Sequence, residues 1–129
     1  PVLSDSEYLR QPTHGNVILY GGADSNKAWS TLIAPDGPRV IRGEVALEGR
    51  RLQGDDLGCL LAIPHSQDPA RLVGVVAGTG PAGRRAVERL NYFTSGVGFP
   101  DVVILRAGAW KQGFDGVEAA GRPGSVVWK

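Results

Sequence analysis

The chain has 129 residues, 42% apolar and 21% charged, with a formal net charge of +1. That length holds one domain with a real core, and a charge so near zero gives no reason to expect nucleic acid or an acidic membrane as partner. The single cysteine, Cys59, permits no internal disulfide, and no apolar stretch approaches the ~20 residues of a membrane-spanning helix.

Residues 1–15 have little periodicity and read as a surface arm or linker remnant. Ser4, Asp5 or Ser6 can cap a short turn holding Tyr8 and Leu9, which Pro12 ends. The chain starts at Pro1 and contains no Met, as a processed form or an excised domain would. Asn16 to Tyr20, NVILY, reads as the first strand of a single domain covering 16–129, closed by Gly21-Gly22. A helix is expected from about Asn26 to Ile33, capped by Asp24, Ser25 or Asn26, with Ala28, Trp29, Leu32 and Ile33 as its buried side. From Arg39 to Gly54, apolar residues recur among charges around Glu48-Gly49-Arg50, the pattern of a small β-hairpin. Leu57 to Ile63 is a buried strand, and Pro64 to Pro69 a polar loop.

Arg71 to Leu90, RLVGVVAGTGPAGRRAVERL, organises the rest. Leu72 to Ala77 is a nearly unbroken apolar run, as in a strand covered on both faces. A glycine-rich turn follows, then a helix with Ala82, Ala86, Val87 and Leu90 on one side and Arg84, Arg85, Glu88 and Arg89 on the other. Val102 to Leu105 is a further interior strand; Trp110 and Phe114 lie in a glycine-punctuated loop or short helix. Val117 to Ala120 reads as a weak helical turn, and Val126 to Trp128 as a last short strand. Strand, turn and helix make the front half of a βαβ unit. The fold class expected is therefore α/β: a three-layer sandwich with a mostly parallel sheet, Rossmann-like or flavodoxin-like, with a hairpin excursion.

Gly78-Thr79-Gly80-Pro81-Ala82-Gly83 fits G-x-G-x-x-G between a strand and a helix. Glycines there permit close backbone approach, and free N–H groups at a helix start attract an anion. Against a dinucleotide site, the motif falls late in the chain, and Asp101 stands before its strand instead of at its end. In a parallel sheet the Gly21–Asn26 loop shares the same edge, so Gly22, Asp24 and Asn26 join Gly78, Thr79, Gly80 and Gly83 as candidate ligand-binding residues; helix capping and turn formation are the alternative. His65 would sit at that edge too. Asp55-Asp56 could contribute to a Mg²⁺ or Ca²⁺ site, or form a turn. His14 and His65 are too few and too far apart for zinc. No G-x-S-x-G elbow occurs, so a serine hydrolase would have to bring Ser25 or Ser95 to His65 without any spacing signal. Neither a cofactor, a metal site nor a catalytic residue is expected. Trp29, Trp110, Trp128, Tyr92 and Phe93 read as core or interface.

Taken together, NVILYGGADSNKAW, RGEVALEGRRLQGDDLGCLLAIP, VGVVAGTGPAGRRAVERLNYFTSGVGFPDVVIL and GVEAAG resemble an accessory domain. It is similar to the domain that follows the α/β-hydrolase domain in bacterial prolyl-oligopeptidase-like proteins, many of them secreted or envelope-associated. The resemblance runs from about Asn16 to Gly121 and implies a Rossmann-like or flavodoxin-like sandwich. It also implies that the catalytic serine, aspartate and histidine belong to the other domain, with no position here inheriting them. The family commonly carries Asn after the Tyr-Gly of the first strand, where this chain has Gly22. A non-catalytic domain packing on a hydrolase domain or a second copy of itself is thus the leading expectation. A phosphate-, nucleotide- or small-ligand-binding module is the second, and a small autonomous hydrolase the last.

Overall fold

The computed structural model describes residues 1–92, 94–96 and 98–129, with only the backbone at 114. Nine strands dominate it. Six of them, β1 (Val17–Tyr20), β5 (Leu57–His65), β6 (Asp68–Gly78), β7 (Val102–Arg106), β8 (Val117–Arg122) and β9 (Ser125–Trp128), form one sheet in the order β1-β6-β5-β7-β8-β9. The others, β2 (Arg39–Ile41), β3 (Glu44–Leu47) and β4 (Arg50–Gln53), form a separate antiparallel meander. The helices are α1 (Asp5–Arg10), α2 (Trp29–Leu32), α3 (Pro81–Glu88) and α4 (Ala109–Gln112), the last followed by a 3-10 turn over 113–116.

The expected mostly parallel sheet is corrected here. Among the described residues only β1 and β6 pair in parallel; every other ladder of both sheets is antiparallel. The physical reason lies in the connections. Ser66 and Gln67 alone separate β5 from β6, and a parallel return needs a crossover of a dozen or more residues. The expected polar loop over 64–69 is thus a hairpin tip. The β6–α3–β7 unit exists, but antiparallel β5 lies between its two strands. The second correction is the helical turn expected at Val117 to Ala120, which is strand: β8 pairs with β7 and turns through Pro123-Gly124 into β9.

Both faces of the central strands are covered, as the apolar run predicts. On one face Leu57, Cys59, Leu61, Ile63, Val73, Val75, Val102 and Ile104 meet Trp29, Leu32 and Ile33 of the α2 region and Val40, Val45 and Leu47 of the meander. Tyr8 joins this cluster from α1, whose start is fixed by a capping box between Ser4 and Glu7. On the other face Leu60, Val76, Val103 and Leu105 meet Ala86 and Val87 of α3. Each fully buried side chain of this size contributes about 1.5–3 kcal/mol.

The seat of α3 is unusually tight. A Cβ on Gly83 would lie 2.0 Å from the Leu57 carbonyl oxygen, and one on Gly58 would lie 2.5 Å from that of Gly83. Helix and strand backbones touch here because neither carries a side chain between them. Gly83→Ala is therefore expected to push α3 off β5 and cost about 3 kcal/mol or more in urea unfolding, whereas Gly15→Ala, with nothing within 4 Å, should stay within about 0.5 kcal/mol of wild type.

Candidate functional site

The parallel pairing of β1 with β6 brings the loops after them, 21–26 and 78–83, to one edge of the sheet. The side chains of Asp24, Ser25, Asn26 and Thr79 in these loops bond within the chain, while no side chain caps the first N–H groups of α3. Thr79 is 1% exposed; its N–H donates to the Leu57 carbonyl (2.9 Å), its Oγ1 accepts from the Leu57 N–H (3.0 Å), and its carbonyl accepts from the Gly43 N–H (3.0 Å). Cβ atoms on Gly78 and Gly80 would meet the Arg84 nitrogen and the Asp55 carbonyl oxygen, each at 2.4 Å, and one on Gly22 would meet the Val40 carbonyl oxygen at 2.4 Å. Asp24 accepts from the Arg42 N–H (2.8 Å). Asn26 donates to the Tyr20 carbonyl (3.0 Å) and accepts from the Ala28 N–H (2.9 Å). The meander therefore sits against both loops.

Asp56 of the acidic pair lies 2.9 Å from Arg106, whose Nε also donates to Glu118 at 2.8 Å. Burial pushes the Cys59 thiol up to about 12, leaving no thiolate near neutral pH. Ser25 Oγ accepts from the Gly22 N–H (3.0 Å) at the glycine edge. His65 is not at that edge. Because β5 runs antiparallel to β6, its last residue lies at the opposite end of the sheet, on the order of 25 Å away. The structure thus separates Ser25 from His65. Phe93 lies outside the described residues.

At the His65 end the two sheets part to leave a cleft of about 390 Å³. Ile33, Leu47, Ile63 and Val102 wall it, with Asp36, Glu48, His65 and Ser66 as polar lining. His65 is 3% exposed, and its Nδ1 accepts from the Gln67 N–H at 3.0 Å. Glu48 sits at φ 50, rare for a residue with a side chain, and its carboxylate accepts from the Gly124 N–H. That bond ties the β3–β4 tip to the β8–β9 turn. Asp36, Glu48 and Ser66 carry no sequence signal: each belongs to a turn whose partner is remote in the chain.

A third feature is apolar. On the α3 side of the sheet, at its β1 edge, Ile18, Tyr20 and Leu72 are 49%, 58% and 48% exposed. Pro64 of β5, opposite Leu72, is exposed on the same face. Tyr92 adjoins Tyr20: its burial first, and then a hydrogen bond with Tyr20, push its hydroxyl up to about 12.

No protein-family model matches the chain, and no curated protein and no solved structure matches it. Among the described residues no cluster of three or more His, Cys, Asp or Glu could hold a metal ion, and no helix is long and apolar enough to cross a membrane.

Burial, and next the charge of Arg71, pull the His65 imidazole below its ordinary value of 6.5, with Asp68 opposing. The unfolded chain then binds this proton more tightly, so the stability contribution is complete above about pH 6.5 and is lost as pH falls through the folded value. The urea midpoint should therefore drop between pH 7.5 and 5.5, and the drop should shrink in His65→Gln. An equal drop in both chains would remove His65 as the cause.

Proposed function

We propose that this chain is a non-catalytic interaction domain that docks on an α/β-hydrolase domain through the β1 edge of its six-stranded sheet. The observation that carries the reading is the exposure of Ile18, Tyr20 and Leu72 on one face, with Pro64 beside them. Large apolar side chains gathered on one face mark interaction sites more often than scattered ones do. The centre of a protein interface is depleted in charge and enriched in aromatics, and these four residues are uncharged and include a tyrosine. The resemblance of the sequence blocks to an accessory domain of hydrolase-like proteins supplies the identity of the partner. In this reading the bond-breaking residues lie on that partner, and this chain shapes the approach to them. The commitment of the Ser25 hydroxyl and the Cys59 thiol to internal roles agrees with it.

A photo-crosslinking residue at Ile18 tests this in the producing cell, with exposed Arg51 of β4, on the separate meander, as the control position. Crosslinks from position 18 should map by mass spectrometry to an α/β-hydrolase domain, and Tyr20→Glu should reduce them at least tenfold while the isolated chain melts as wild type. Crosslinks to a second copy alone, or equal labelling from both positions, would overturn it.

A further inference from the structure

The cleft beside His65 is walled by side chains of the opposite sheet face from the proposed docking patch, with Pro64 bordering both, and its chemistry differs. We propose that it is a binding site for a compact, uncharged, largely apolar molecule that carries one hydrogen-bond acceptor.

The volume of about 390 Å³ lies at the small end of the range for ligand sites, roughly 300–1,000 Å³. Ile33, Leu47, Ile63 and Val102 offer an apolar body a surface that water wets poorly. The polar requirement comes from His65. Its Nδ1 accepts the Gln67 N–H, so the proton of the neutral ring resides on Nε2. Among the described residues no group bonds Nε2. No buried side-chain nitrogen or oxygen there lacks a partner, so Nε2 keeps contact with open space although the residue is 97% buried. His65 lines this mainly apolar cleft, and Nε2–H is the ring donor left for an occupant. An acceptor on the ligand would bond this donor in place of water.

The charge of the ligand follows from the polar groups of the lining; Arg71, whose charge also reaches His65, lies outside that lining and is bonded to the Thr13 and Gly15 carbonyls. Asp36 and Glu48 line the same cleft, and both repel a carboxylate or phosphate. A cationic head would meet the positive end of the Nε2–H bond. A neutral carbonyl or ether oxygen accepts from Nε2–H and brings no charge for the two carboxylates to repel. Glu48 keeps its place through the bond to Gly124, which holds the β3–β4 tip against the β8–β9 turn beside the cleft.

Three probes of one shape separate the contributions: acetophenone (neutral acceptor), benzoate (anion) and ethylbenzene (no acceptor). In ¹H–¹⁵N NMR titrations of the chain, acetophenone should shift the amides of Ile33, Leu47, Ile63 and His65 together. It should bind at least tenfold more tightly than benzoate and several-fold more tightly than ethylbenzene. His65→Phe should abolish the preference over ethylbenzene; if that chain does not fold, His65→Gln, which retains an N–H donor, should keep part of it. Benzoate binding most tightly, shifts scattered away from the cleft, or no shift with any probe would overturn the proposal.

Discussion

The structure depends on one backbone contact, the crossing of Leu57-Gly58 at the start of β5 with the Gly78–Gly83 turn. Three elements meet there. Thr79 makes both main-chain and side-chain hydrogen bonds with Leu57, and its carbonyl takes the Gly43 N–H of the meander. Gly83 approaches the Leu57 carbonyl so closely that a single methyl group would collide. The glycines that read as a phosphate cradle also perform a packing task that larger residues cannot. Removing a side chain on each side lets α3 lie close enough for Ala86 and Val87 to reach Leu60, Val76 and Val103. The same contact fixes where the meander stands over the opposite face.

The far end of the molecule is held differently. There the β3–β4 tip reaches the β8–β9 hairpin through Glu48 and Gly124, and the Arg50 guanidinium lies 5.3 Å from the centre of the Trp128 ring. These are side-chain contacts near solvent, each worth less than the buried junction at Leu57. A domain pinned firmly at one end and lightly at the other opens most easily at the lightly pinned end. That end holds the cleft and His65.

Much of this was legible in the sequence where the signal is local. The Glu48-Gly49 hairpin, the apolar runs of β5, β6 and β7, the cap at Ser4 and the buried face of α3 all follow from periodicity and turn chemistry, whereas α2 starts at Trp29 behind Ala28, with none of the expected caps. Strand direction was not legible from the apolar runs, because a strand buried on both faces reads alike in parallel and antiparallel sheets. The short, helix-free stretch between Ile63 and Arg71 did carry the missing information, since no parallel crossover fits it. That one inversion moved His65 from the glycine edge to the opposite end. Asp36, Glu48 and His65 come together only through the packing of the meander on the main sheet, a contact between segments far apart in the chain. At Val117 to Ala120 pairing with β7 outweighed a weak local preference.

The most direct measurement is amide hydrogen exchange at Leu57 and Thr79, with and without inorganic phosphate. If the turn is a packing junction, both amides exchange only through global unfolding, at the slowest rates in the molecule, and phosphate leaves them unchanged. Exchange at loop-like rates, or protection that appears only with phosphate, would contradict it and make the Gly78–Gly83 turn an open anion site.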